Sequence, residues 1–397
     1  MSGSTPLRLL DGVTVVAIEQ AVSAPFCTRT LADLGARVIK IEPPGRGDFT
    51  RHYDDVVKGL AAHFVWLARG KESVTLDLKH PAGLEALHRI LSRTDALVSN
   101  LGPGATARLG LDPAALAARY PELITLEITG YGTGGPLAGK RAYDLVVQAE
   151  AGVCAVTGWA GHPAKPGPPV ADAGTGLYGA ITVLSALVAR GRTGRGHNAE
   201  LSMFDTMVEM MGYTLNHTRA TGVDQIPIGM GSPAVAPYGA YPTADGQTVV
   251  LGTTNDAEWQ RLAALIGRPD LGGDPRYLRN PDRVAARGEL DPAIAAWSAE
   301  RSLADVQHAA DAARIGNARY NTPLDVLAHE QLSARDRWRE IDSPAGPLTA
   351  SLPPPVFGQG ELPMGAIPAL GQHTDAVLGE FGYSADELRE LRAAGAI

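Results

Sequence analysis

Val13-Thr14-Val15-Val16-Ala17-Ile18 is a run of mostly apolar, β-branched residues that reads as a strand, and Arg37-Val38-Ile39-Lys40-Ile41-Glu42, with Val38, Ile39 and Ile41, reads as a second. Between them, residues 25–34 read as a helix, with Pro25 suited to its first turn and Gly35 to its stop. A buried strand, a helix and another buried strand in so short a space make a βαβ unit, and that unit sets the fold class. Working outward, the pattern continues. Residues 73–78 read as a strand, 81–93 as an amphipathic helix with Leu84, Leu87 and Leu91 on one side, and 96–98 as a strand. Residues 113–120 read as a helix and 123–129 as a strand, so the expected architecture is α/β, a Rossmann-like parallel sheet wound on both faces. A long helix is expected from Asp172 to Arg190, then a strand over 198–202 and a helix over 204–215. From Tyr238 the character changes to a hairpin around Asp245-Gly246, followed by helices over 258–266, 283–296 and 303–312. Ser384-Ala385-Asp386-Glu387 is a capping box that opens a closing helix.

The chain has 397 residues, more than one core comfortably serves, so two domains are expected. The large one takes residues 1–215 and 330–397, and a smaller α+β domain takes 230–325, with linkers at 216–229 and 326–329. A formal charge of −8 without a basic block argues against nucleic acid, yet leaves room for a phosphorylated small ligand that needs only a few cations. Cys27 and Cys154 fit no zinc or redox spacing, and the reducing cytoplasm is the expected compartment. No secretory leader is visible in residues 1–8. The apolar stretch 177–189 falls short of the ~20 residues a bilayer span needs, so no membrane association is expected.

The first strand–helix turn, Glu19-Gln20-Ala21-Val22-Ser23-Ala24-Pro25, contains no glycine. A dinucleotide fold would place G-x-G-x-x-G here, so a nicotinamide or flavin dehydrogenase is disfavoured. P-loop, zinc-protease, nucleophile-elbow and EF-hand patterns are all missing, and no metal site is expected. Two stretches stand out. Pro169-Val170-Ala171-Asp172-Ala173-Gly174-Thr175-Gly176 puts a carboxylate just before a long helix, where an N-capping aspartate is expected in any case. Its small residues open space around the carboxylate. Gly130-Tyr131-Gly132-Thr133-Gly134-Gly135-Pro136 follows a strand's carboxyl end, where open α/β sheets bind ligands, though a flexible connector would look the same.

Taken in order, Leu10-Asp11-Gly12-Val13, Leu31-Ala32-Asp33-Leu34-Gly35-Ala36, Arg69-Gly70-Lys71-Glu72-Ser73-Val74 and Asn100-Leu101-Gly102-Pro103-Gly104 carry a resemblance. So do Tyr143-Asp144-Leu145, Val170-Ala171-Asp172, Arg192-Thr193-Gly194-Arg195-Gly196 and His373-Thr374-Asp375. The sequence resembles the class III CoA-transferases, the group that includes formyl-CoA transferase, carnitine CoA-transferase and α-methylacyl-CoA racemase. The resemblance implies an interlocked homodimer, coenzyme A as substrate rather than as a tightly bound cofactor, and Asp172 as the carboxylate that becomes acylated. It also implies that Val22, Ser23 and Ala24 line the CoA path. Leu67, Lys71, Asn100, Leu101 and Arg108 would hold adenine and phosphates, and Arg141 and Tyr143 would lie near the pantetheine. Some relatives carry an arginine after the second strand where this chain has Pro43. Asp144 matches an acidic position beside the nucleophile, and Gly229 and Gly231 match a loop that closes over it.

The racemases of the group use a histidine–aspartate pair as acid and base. Their histidine precedes the aspartate matched by Asp144; this chain has Tyr143 there, and a phenol, ordinarily titrating near ~10, suits that task poorly. Transfer of CoA between two acids is therefore expected ahead of 2-methylacyl-CoA racemisation or of a non-catalytic CoA-binding role. The stretches 229–238 and 253–256 resemble relatives that handle small dicarboxylates with succinyl-CoA as donor.

Overall fold

A computed structural model describes residues 6–397. The chain forms two compact units. One comprises Cys154–Lys165 and Asn216–Ala334, and the other the remaining described residues.

The larger unit is built on β1 (Thr14–Ile18), α1 (Ser23–Asp33), β2 (Arg37–Glu42), α2 (Ala62–Ala68), β3 (Lys71–Thr75), α3 (Pro81–Leu91) and β4 (Ala96–Ser99). It continues with α4 (Ala105–Arg108), α5 (Pro113–Arg119), β5 (Ile124–Thr129) and α6 (Asp144–Glu150). After β6 (Gly158–Trp159) and β7 (His162–Pro163), which lie in the other unit, come α7 (Val170–Thr193), β8 (Asn198–Ser202) and α8 (Met203–Met210). Six strands pair in parallel in the order β3-β2-β1-β4-β5-β8. The order reverses at β1, so the carboxyl ends of β1 and β4 flank a crevice of the kind in which such sheets bind ligands.

Apolar residues of the strands feed two cores, one on each face. Val15, Ala17, Val98 and Leu126 pack with α1 and α7; Val16, Ile18, Ile39 and Leu97 pack with α3 and the C-terminal helices. α7 is long and apolar enough to cross a membrane, longer than the 177–189 stretch suggests from sequence. Its buried face instead packs on α1 and β5, which makes it a core helix. The helix expected over 204–215 is two helices, α8 and Gly212–Thr221.

In the smaller unit, β9 (Tyr238–Pro242) and β10 (Thr248–Gly252) form the hairpin around Asp245-Gly246, and β11 (Gly316–Arg319) adds a third antiparallel strand. The helix expected over 283–296 is broken into Asn280–Ala285 and Arg287–Ala299. The unit reaches beyond the expected 230–325, and the β6–β7 hairpin joins it through a bridge between Trp159 and Ile228.

Where β1 ends, within β2 and at the first residue of β3, the core is ionic. Lys40 Nζ donates to Glu19 Oε1 at 3.2 Å and to Asp48 Oδ2 at 2.8 Å. Lys71 Nζ donates to Glu19 Oε1 at 2.6 Å and to the Pro25 carbonyl at 2.9 Å. Thr28 donates to the other Glu19 oxygen at 2.5 Å. Burial alone would raise the Glu19 pKa, but Lys40 and Lys71 hold it below the usual value. Burial lowers Lys71 to about 8, against the pull of Glu19. A second pair, Glu42 and Arg51, makes two bonds of 2.8 Å, and Glu42 also accepts from Ser73.

Removing one partner of such a buried set leaves a charge with nothing to answer it. Lys40→Met should destabilise the large unit by about 3–5 kcal/mol, read as a fall in the chemical denaturation midpoint. Arg389→Ala, which breaks the exposed Arg389–Asp386 pair, should cost less than about 1 kcal/mol. Equal effects of the two would show that the buried cluster is not structurally dominant.

Candidate active site

The turn between β1 and α1 holds Ala21 at φ 62°, a left-handed conformation that glycine would adopt more easily. The turn is held from outside. Asn100, just after β4, accepts from Gln20 N–H through Oδ1 at 2.9 Å and donates to Gln20 O through Nδ2 at 2.7 Å. Its Nδ2 also lies 3.3 Å from Ser23 Oγ, and Asp48 accepts from Ala21 N–H at 3.4 Å. The turn delivers Ser23 to the first position of α1.

Facing Ser23 is the start of α7. Asp172 is not its N-cap: the helix begins at Val170, and Asp172 is the third residue of its first turn, 8% exposed. The cap comes from another helix. Asp144, first residue of α6, accepts from the Ala171 and Asp172 amides through Oδ1 at 3.0 and 3.3 Å. Gln148 donates to its second oxygen at 2.6 Å. The small residues after Asp172 do not open space around it. A Cβ on Gly176 would lie 2.7 Å from Ser23 O and 2.9 Å from Phe26 Cβ, and one on Gly179 would lie 3.1 Å from Cys27 Sγ. These glycines let α1 and α7 approach closely, and that approach brings Ser23 to Asp172.

Burial, first, and the neighbouring Asp144 charge push the Asp172 pKa up to about 7, while hydrogen bonding from the Ser23 side chain and backbone opposes the rise. Desolvation thus outweighs the stabilisation that a helix N-terminus gives a carboxylate.

Along the same carboxyl edge lies a groove of about 690 Å³. Arg46, Lys79 and Arg108 line it with His80, Leu78, Leu101 and the carboxylates Glu19, Glu42 and Asp77, so it joins charged groups to apolar surface. Of the residues expected there, Leu101 and Arg108 belong to it. Lys71 does not: its ammonium is fully buried against Glu19, and a phosphate has no access to it. Leu67 and Ala24 are core residues, 2% and 0% exposed, and Val22 is buried as well. The Asn100 amide is engaged on the β1–α1 turn. Arg141 and Tyr143 are exposed in the segment leading into Asp144. Arg46, Lys79 and His80 escape a reading by residue type, since isolated surface cations carry no spacing signal. Arg46 offers a cation three residues beyond Pro43, where the arginine of some relatives is missing.

The 130–136 loop is not a loose connector, because Thr133 is held through its N–H and hydroxyl by Glu200. Gly229 and Gly231 lie in the smaller unit. Gly229, at φ 66°, donates to Gly158 O at 2.6 Å, with the Trp159 ring over the position a Cβ would take. Arg287 ties down the following backbone through the Ser232 and Val235 carbonyls, at 2.6 and 2.7 Å.

A model of CoA-transferase family III matches residues 10–374. The chain is 32% identical over 405 residues to the succinyl-CoA–D-citramalate CoA-transferase of Chloroflexus aurantiacus, covering 99% of each. It is 30% identical over 382 residues to a succinate–glutarate CoA-transferase of Agrobacterium fabrum, covering 94% of this chain and 95% of that one. A solved structure of a CAIB/BAIF family protein from Brucella suis superposes with a TM-score of 0.81 at 32% identity, covering 95% of this chain and all of that one. With a family match over most of its length and the same fold in a solved relative, the chain belongs to CoA-transferase family III and is a CoA-transferase.

Proposed function

We propose that Asp172 is the nucleophile of a transfer from an acyl-CoA donor to a second carboxylic acid. The observation that carries this reading is the Asp172 carboxyl itself, buried at the start of α7 between the Asp144 charge and the Ser23 donors. The Asp172 carboxylate attacks the donor thioester, forming a mixed anhydride and releasing CoA thiolate. The thiolate then attacks the aspartyl carbonyl, giving an aspartyl-CoA thioester and freeing the donor acid. The acceptor carboxylate attacks that thioester, expelling CoA thiolate and forming a second mixed anhydride; the thiolate then attacks the acceptor carbonyl of the anhydride, which gives the new acyl-CoA and regenerates Asp172. Covalent catalysis divides one difficult exchange into easier steps, with no net proton change. Ser23 N–H and Oγ–H are the donors available to a developing oxyanion.

The partly apolar groove fits the adenosine and phosphates of CoA, with Arg46, Lys79 and Arg108 answering phosphate charge and His80 beside them. Succinyl-CoA as donor and a small dicarboxylate as acceptor follow from the named relatives, two of which take succinyl-CoA or succinate with a second dicarboxylic acid. Tyr143 in place of a histidine argues against racemisation. Leu177, Ile181 and Val188 lie exposed along one face of α7, at 47, 56 and 59%, and suit the surface of a homodimer.

Incubation with succinyl-CoA, hydroxylamine trapping and peptide mapping should place a covalent adduct on the peptide carrying Asp172. Asp172→Ala should abolish exchange while CoA binding persists. Turnover retained by that variant would remove the nucleophile, and activity confined to monocarboxylates or aromatic acids in an acid panel would remove the dicarboxylate assignment.

Only ionised Asp172 attacks, so the rate of adduct formation should rise with pH along a limb centred near 7. Asp144→Asn removes the neighbouring charge yet keeps an oxygen for the Ala171 and Asp172 amides. Its limb should therefore move to lower pH; no movement, or movement upward, would show that Asp144 does not act on the nucleophile by charge.

A further inference from the structure

The carboxamide orientation of Asn100 is fixed by its partners. A backbone N–H can only donate, so the atom 2.9 Å from Gln20 N is the oxygen. The amide nitrogen must then face Gln20 O and Ser23 Oγ, to which it donates at 2.7 and 3.3 Å. With an N–H directed at Ser23 Oγ, the hydroxyl accepts on that side and its own proton turns away from Asn100. On its other side Ser23 meets α7, where Gly176 brings the two helices together. The same clamp grips both backbone groups of Gln20, next to the left-handed Ala21, and so fixes where the Ser23 N–H points.

We infer that Asn100 is a positioning residue for CoA transfer: by clamping Gln20 and donating to Ser23 Oγ, it aims the Ser23 hydroxyl and amide protons at the Asp172 carboxyl. The inference rests on Asp172 being the acyl acceptor. It reassigns Asn100 from a contact of CoA to a residue acting through Ser23. Ser23 hydrogen bonding lowers the Asp172 pKa against burial, as expected of donors aimed at the carboxylate. The other ionisable groups that face this carboxyl are Asp144, from α6, and the Tyr53 phenol, and neither contacts Asn100 through any bond described above.

The test follows the pH dependence of acyl-adduct formation from succinyl-CoA, beside the Kd for CoA. Wild-type enzyme is measured first, and no adduct on the Asp172 peptide would overturn the nucleophile assignment and this inference with it. Given the adduct, Ser23→Ala should move the acidic limb upward by about one pH unit, the effect of losing one hydrogen bond to a charged group. Asn100→Ala should move it in the same direction by at least as much, with the Kd for CoA unchanged. Asn100→Ser keeps an oxygen for Gln20 N–H and serves if the alanine variant does not fold. In the Ser23→Ala background the Asn100 substitution should add less than it does alone. An unmoved limb with weakened CoA binding would overturn the inference and make Asn100 a ligand contact. Fully additive shifts would overturn it as well, since Asn100 would then act independently of Ser23.

Discussion

Lys40 is buried between Glu19 and Asp48, and much of the large unit depends on that arrangement. Neighbouring parallel strands bring Glu19 after β1, Lys40 inside β2 and Lys71 at the start of β3 together in a space closed to water. Each ion would cost several kcal/mol to bury alone. Together they are tolerated because every carboxylate meets an ammonium or a hydroxyl and every ammonium meets oxygen. The cluster therefore specifies geometry more than it adds stability. Lys71 reaches the Pro25 carbonyl and Asp48 reaches the Ala21 amide, so the charges fix the turn between β1 and α1. A left-handed alanine persists there because its surroundings over-determine it.

The second constraint is the close approach of α1 and α7. Gly176 and Gly179 lie three residues apart on one face of α7, where side chains would strike α1. The ion cluster sets where α1 begins, and the glycines set how near α7 comes. Ser23 and Asp172 meet at the intersection of the two. A shift in either would move the donors away from the carboxylate, and misplacement of about 1 Å is enough to cost a large factor in rate.

The alternation of strands and helices was legible because buried parallel strands are short apolar runs bounded by glycine and proline. β2, β8 and the β9–β10 hairpin lie where those signals place them. What failed did so for tertiary reasons. Asp172 reads as a cap because a carboxylate ahead of an apolar helix usually is one, but the cap comes from Asp144, which lies far away in sequence. The glycines read as open space, while their neighbours come from α1. The resemblance makes Lys71 a phosphate anchor, and its burial against Glu19 is not visible in a sequence. The groove residues Arg46, Lys79 and His80 converge only once β2 and β3 lie side by side. The β6–β7 hairpin belongs with a unit whose other residues follow much later in the chain, and local pattern cannot show this.

In the proposed cycle, the raised pKa of Asp172 is a working property and not a flaw of burial. A carboxylate near 7 is a stronger nucleophile than an ordinary one and is still substantially ionised at neutral pH. It also lies closer to an unperturbed thiol, at about 8.5, so CoA and aspartate exchange the acyl group with smaller differences between successive intermediates. Acylation removes the charge that Asp144 opposes and that burial penalises, so both sources of the raised pKa favour the covalent states. The Ser23 donors pull the other way, stabilising the free carboxylate, but they remain in place for each oxyanion that forms on the aspartyl carbonyl. Asp144 and burial thus drive Asp172 into the anhydride and the thioester. Ser23, held by Asn100, keeps the return path open, as reversible exchange between two acids of similar energy requires.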